Sequence, residues 1–171
     1  MLDHAAHILV RQLEANDAGD YRNIRLAALK NEPDAFGSTY DAESARTTEE
    51  FAQRLATSTA FGAYGDGQIV GLGGFKREAG AKDGHKAFVW GIYVDASWRG
   101  RGVASALMAA IIGSARESVE QLTLAVVRGN ESALGLYRKF GFRIYGIEPR
   151  ALKTSMGYVD EVLMSLIFER T

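Results

Sequence analysis

The chain has no cysteine, only two prolines and only three histidines among its 171 residues. The missing thiols exclude disulfides, thiolate catalysis and cysteine-ligated metals, and His4, His7 and His85 are too few and too scattered for a zinc centre. No metal is expected. No run of about 18 apolar residues occurs, and residues 1–10 carry neither a cationic leader nor a long apolar stretch. A membrane span and a secretory signal are therefore not expected, and the cytoplasm is the default location. An excess of one charge sign is lacking too, since 20 basic residues against 21 acidic ones leave a net charge of −1. That removes the broad electrostatic footprint that nucleic acid or an anionic membrane would need, so any phosphate must be held by a local feature.

What is present suits a globular protein: 47% apolar and 24% charged residues, without repeats, low-complexity tracts or a proline-rich linker. A length of 171 residues fits one core, so residues 1–171 are taken as a single domain. Residues 7–13 alternate weakly as a first strand, and Asp17 is placed to cap a helix over residues 18–30. Residues 31–46 form the loosest stretch. Thr47 and Glu50 have the spacing of a capping box, which starts a second helix with Phe51 and Leu55 on one face. Asp66–Gly67 between two apolar runs is a hairpin signal, and a charged, glycine-containing turn over residues 78–84 leads to an apolar strand over residues 86–94.

From Gly102 the period changes to that of a helix, with Val103, Leu107, Ala110 and Ile111 on one face. A short strand over residues 121–127 follows. Asn130 then caps a helix that Gly141 ends, and strands over residues 142–148 and 158–168 finish the chain. The order is β-α-α-β-β-β-α-β-α-β-β, an α/β fold with a mixed sheet flanked by helices.

The turn between the third central strand and the following helix holds two glycines one residue apart, Gly100 and Gly102, beside Arg99 and Arg101. Glycines let backbone approach a ligand closely, and the free N–H groups at a helix start suit a pyrophosphate. A turn in which the glycines serve geometry alone would look the same. A dinucleotide fingerprint would need an acidic residue after the next strand, where Arg128, Gly129 and Asn130 stand instead, and no Gly-Lys-Ser/Thr of a Walker loop is present.

Here the sequence resembles the GNAT superfamily of N-acetyltransferases, whose signature is Gln or Arg, two residues, Gly, one residue, then Gly or Ala. Arg99-Gly-Arg-Gly102-Val-Ala104 matches it. A second family signature resembles the run from Asn130 through Tyr137 and Lys139 to Gly141-Phe142. The resemblance implies that acetyl-CoA is the co-substrate, held by Arg99, Gly100, Arg101, Gly102, Val103, Ala104 and Ser105. It further implies that the strands flanking the intervening helix splay apart, with the pantetheine arm lying between them along Ile92, Tyr93 and Val94 and beside Asn130. A backbone N–H near Tyr93 would hold the thioester oxygen, and Tyr137 would be the general acid. The family does not fix the base, for which Glu78 and His85 are candidates.

The acceptor implied by the resemblance is a primary amine on a small molecule or a peptide. It is expected between the early helices and residues 148–157, where Asp34, Asp41 and Glu43 would suit a cation. Glu148, Asp160 and Glu161 are further residues able to line it. Trp90 and Trp98 are assigned to packing. Homodimers are common in the family, so a homodimer is the expected assembly. The alternative reading is a non-catalytic acyl-CoA-binding sensor or module, which would keep the glycine turn and need no proton donor.

Overall fold

A computed structural model of the chain describes residues 7–169, and His4 lies outside them. The strands are β1 (Ile8–Gln12), β2 (Thr59–Gly65), β3 (Gln68–Arg77), β4 (Lys86–Val94), β5 (Gln121–Val127), β6 (Arg143–Thr154) and β7 (Gly157–Ile167). They form one seven-stranded sheet in the order β1-β2-β3-β4-β5-β7-β6. The helices are α1 (Ala18–Asn31), α2 (Tyr40–Ser44), α3 (Thr48–Thr57), α4 (Val103–Ala115) and α5 (Glu131–Lys139).

The first four strands pair antiparallel in sequence, β2, β3 and β4 through short connections and β1 with β2 across the segment that carries α1 to α3. Asp66 and Gly67 both have positive φ, at 51° and 80°, which suits a two-residue hairpin whose twist matches its strands. The pairing of β4 with β5 is parallel, with α4 as the crossover. One core lies under α4, where Val103, Leu107, Met108 and Ile111 pack with Leu122, Leu124 and Met164. The other lies under α1 and α3, where Tyr21, Ile24, Phe51 and Leu55 pack with Leu72 and Tyr93. Among the described residues no helix is long and apolar enough to cross a membrane.

Local chemistry fixes most element boundaries. In α3, Glu50 N–H donates to Thr47 Oγ1 at 3.2 Å and Thr47 N–H donates to Glu50 Oε2 at 2.7 Å, the expected capping box. Three expectations need correction. The stretch over residues 31–46 contains α2, started by Thr39, whose Oγ1 accepts from Ala42 N–H at 3.2 Å. Asp17 stands at the N-cap of α1 as expected, but its side chain does not bond the helix; its carboxylate takes Arg11 Nη2 at 2.8 Å and the Glu14 N–H at 2.8 Å, closing a turn before the helix. Residues 148–157 are no open loop, because β6 runs on to Thr154 and Met156 N–H donates to Thr154 Oγ1 at 3.1 Å in the turn to β7.

The helix α2 is held by Glu43, a buried carboxylate that accepts from Arg54 Nη1 at 2.7 Å and Ser38 Oγ at 2.9 Å. Burial alone would push this carboxyl's pKa up, but the hydrogen bonds from Arg54 and Ser38 and the positive charge outweigh it and hold it below the usual range. Its contribution to stability is complete above the ordinary glutamate range and is lost as pH falls through the depressed native value. Arg54 keeps some access to water, so Glu43→Ala should cost about 2–3 kcal/mol, less than loss of a fully buried pair. Urea unfolding at neutral pH measures this, and the gap between variant and parent should shrink at acid pH.

Candidate active site

The site begins where β4 and β5 part. They pair at Lys86↔Gln121, Ala87↔Leu122 and Phe88↔Thr123, and beyond these positions no ladder joins them. On its other edge β4 stays paired with β3, but Trp90↔Gly74 is followed by Tyr93↔Leu72, so β4 carries one residue more than its partner. This bulge holds Gly91 at φ 67°, a left-handed conformation that disfavours residues with a Cβ. A bulge bends its strand, and here it turns the end of β4 away from β5. Backbone groups of both strands are left facing a gap.

Past β4, Asp95 accepts from Ser97 N–H at 3.0 Å and shapes a short turn into the glycine segment. Gly100 and Gly102 then take φ values of 73° and 78°, as the glycine spacing demands. Gly102 is the N-cap of α4 and brings no side chain to bond the helix's first N–H groups, which stay available to a ligand. A Cβ built on Gly102 would meet nothing within 4 Å, so the space beside this backbone is open.

A cavity of about 670 Å³ opens there, bounded by Ile92, Tyr93 and Val94, by Arg99, Gly100 and Gly102 to Ser105, and by Asn130, Tyr137 and Lys139 of the α5 segment. Arg99 Nε donates to Val94 O at 3.0 Å, and its Nη2 pairs with Glu32, tying the turn to the end of α1. Lys139 Nζ lies 3.5 Å from Ser105 Oγ, adding a second cation at the rim. Asn130 caps α5, its Oδ1 accepting from Ala133 N–H at 3.3 Å. Its amide nitrogen remains free to face the cavity. Arg101 is placed differently from expectation: it stacks on Trp98 at 4.9 Å and does not border the cavity.

A second cavity of about 420 Å³ lies against the first and shares Glu32, Ile92, Asn130, Ala133 and Tyr137 with it. Its remaining walls include Arg25, Phe36 and Ser38 near α1, Trp90 and Gly91 of β4, residues 124–127 of β5, and Leu152 and Glu161 of the β6–β7 hairpin. The Tyr137 side chain is buried against Phe142, with ring centroids 5.8 Å apart. Its hydroxyl has no hydrogen-bond partner among the described residues. Burial pushes the Tyr137 pKa up to about 12.

Glu78 and His85 border neither cavity. They sit at the far end of β4, where Glu78 N–H donates to Lys86 O and His85 O accepts from Glu120 N–H. Asp34, Asp41 and Glu43 are likewise absent from the cavity walls, the last being consumed by Arg54. Glu32 faces the second cavity with Tyr137 but is held by Arg99, and the wall carboxylate without an ion pair among the described residues is Glu161. Burial and then the neighbouring Glu148 raise its pKa. Sequence patterns gave Arg25, Glu32 and Lys139 no role, because nothing local marks a helix residue as facing a cavity that four other segments complete. Trp90 and Trp98 pack as expected, and each also borders one of the cavities.

The chain is similar to the L-amino acid N-acetyltransferase AaaT of Escherichia coli (strain K12), with 34% identity over 104 residues, 60% of this chain and 64% of that protein. The alignment thus spans less than two thirds of the relative's length. Its fold matches the crystal structure of the acetyltransferase of GNAT family from Streptococcus pneumoniae, with a TM-score of 0.86 at 24% identity over 95% of this chain and 100% of the other. It also matches the structure of yncA from Salmonella typhimurium with its cofactor acetyl-CoA, with a TM-score of 0.82 at 16% identity over 97% and 96% of the two chains. The model of the acetyltransferase (GNAT) family matches residues 25–142, which contain the splayed strands, the glycine turn and Tyr137, and the chain belongs to that family.

Proposed function

We propose that the protein transfers the acetyl group of acetyl-CoA to the nitrogen of a primary amine by direct attack, with the larger cavity taking the coenzyme and the smaller one the acceptor. The observation that carries this reading is the junction of the two cavities at Tyr137, Asn130 and Ile92, where a thioester and an amine can meet. The names of the relatives, N-acetyltransferase and a structure with acetyl-CoA, support the same donor and the same kind of acceptor atom. The reading takes the sheet and its helices as one catalytic domain.

The residues of the larger cavity fit a coenzyme. Free N–H groups at the start of α4, with Arg99 and Lys139 nearby, suit a pyrophosphate, and the unpaired edges of β4 and β5 suit the amides of pantetheine. The acetyl thioester supplies the acyl group. A backbone N–H in the Ile92 to Val94 stretch stabilises negative charge on its carbonyl oxygen. Tyr137 donates a hydrogen bond to the departing sulfur. With its pKa at about 12 against about 8.5 for an ordinary thiol, the phenol stabilises thiolate charge by donation and does not surrender its proton outright. Glu161 accepts the proton that the amine must lose, a task suited to a carboxylate whose pKa is raised.

Thiol release from acetyl-CoA over a panel of amines tests the reading; coenzyme binding without release on any amine would make the protein a binding module. In Gly102→Val, a branched side chain enters the space beside the α4 N-terminus at a φ of 78°, so coenzyme affinity should fall at least tenfold while the circular dichroism spectrum stays native. Calorimetric titration with coenzyme A measures it. Tyr137→Phe should lower single-turnover acetyl transfer by about tenfold to a thousandfold with little change in coenzyme affinity. No limb from this phenol should appear in the pH profile between about pH 7 and pH 10. Glu161→Gln should lower transfer by about tenfold to a hundredfold at pH 7, and the loss should shrink as rising pH removes the amine's proton without help.

A further inference from the structure

The α1 helix carries a cation on its buried stripe. Arg25 stands one turn after Tyr21 and one turn before Leu29, both of them core residues, so its side chain is directed toward the sheet and not toward solvent. A guanidinium in that position needs a partner to offset its lost hydration. The nearby carboxylates are already engaged, Glu43 with Arg54 and Glu32 with Arg99. Among the described residues Arg25 has neither an ion pair nor a hydrogen bond, only the ring of Phe36 at 5.3 Å from its Cζ. Burial pushes its pKa down from the ordinary value, with Glu43 and Tyr21 acting the other way.

The guanidinium borders the smaller cavity beneath the β4 bulge, where Nη1 lies 3.5 Å from the point that a Cβ on Gly91 would occupy. The glycine therefore does two things at once. It permits the positive φ of the bulge, and it leaves the guanidinium uncovered toward the cavity. From the β7 side Glu161 borders the same cavity, next to the end of β5 with which it pairs at Val127. The cavity thus presents an unpaired cation from the α1 side and a carboxylate from the β7 side.

We propose that Arg25 binds a carboxylate of the acceptor, so that the substrate is a zwitterion of the α-amino-acid type, with its carboxylate at Arg25 and its amine toward Glu161 and Tyr137. The inference rests on the acetyl-transfer reading for the identity of the site. The planar guanidinium matches a carboxylate with two parallel hydrogen bonds, and a charge-assisted pair shielded from water discriminates strongly against an uncharged isostere. Arg25 acts on specificity and positioning and touches no reacting atom.

The test compares proteinogenic L-amino acids with the matching amides, first as acetyl acceptors and then as ligands of the coenzyme A-saturated protein by calorimetry. Amidation makes the amine less basic and would by itself favour the amide. The expected result is the opposite: for the acids that are turned over, kcat/KM exceeds that of the amide by about tenfold to a hundredfold, and the ratio collapses toward one in Arg25→Met. A purely structural Arg25 would lower acid and amide together and leave their ratio at the parent value, which overturns the proposal. If Arg25→Met does not fold, the parent protein still decides, because des-amino carboxylic acids should compete with the acceptor and their amides should not. Equal inhibition by the two would also overturn it. Absence of transfer to any amine, with acids still binding more tightly than amides, would instead defeat the acetyl-transfer reading and leave the carboxylate site standing.

Discussion

Strands β4 and β5 share three paired positions and then separate, and the arrangement of the site follows from where that separation begins. A parallel pair inside a sheet would normally continue, because each unpaired backbone group away from water loses a hydrogen bond's worth of free energy, about 1–3 kcal/mol. The bulge at Gly91 and Ile92 stops it. It keeps β4 bonded to β3 through Leu72 and Gly71 while turning the other edge of β4 away from β5. Open edges deep in a sheet are unfavourable unless something completes them, which is why the gap suits the extended, amide-bearing coenzyme arm proposed for it. The same divergence sets the direction of α4 and opens room for α5 to bring Tyr137 and Asn130 to the gap.

The treatment of helix starts shows a second economy. Thr39 caps α2, Thr47 caps α3 and Asn130 caps α5, each with a side chain that satisfies a first-turn N–H. Both α1 and α4 begin without one, and at α4 the N-cap is Gly102, which has no side chain to supply it. A serine or aspartate there would stabilise the free helix by about 1 kcal/mol and would block the N–H groups that an anion needs. The left-handed φ excludes most such residues in any case. Of the two helix starts that border the larger cavity, α5 is capped by Asn130 and α4 forgoes a cap at Gly102.

The boundary between what was legible in the sequence and what was not follows the range of the interactions. The Thr47–Glu50 box, the Asp66–Gly67 hairpin, the glycine turn and the Asn130 cap all join residues within a few positions of one another, so their spacing alone carries the geometry. The α2 helix was hidden because its hold is Glu43 on Arg54, a contact between segments, while its own five residues lack any apolar period. Asp17 has an ordinary N-cap position, but Arg11 competes for its carboxylate and wins. Glu78 and His85 lie close to β4 in the chain, yet a strand of nine residues carries its two ends far apart. Only one end of β4 is splayed.

The electrostatics of the smaller cavity then follow from which charges have been spent. Arg99 neutralises Glu32, Arg54 neutralises Glu43 and Arg128 pairs with Asp160, so these six groups are satisfied before any ligand arrives. Arg25 and Glu161 are the charged wall residues of this cavity outside those pairs, and they do not pair with each other. Holding two opposite half-buried charges apart forgoes their attraction while each still bears its loss of hydration, an arrangement that a stability-driven sequence would remove. It becomes favourable once a ligand bearing both signs spans the gap, because one molecule then satisfies both groups at the end of the cavity where the Tyr137 hydroxyl waits. The charge left unpaired in the fold and the hydroxyl left unbonded border the same cavity, and the absence of a Cβ at Gly91 leaves the guanidinium open to it.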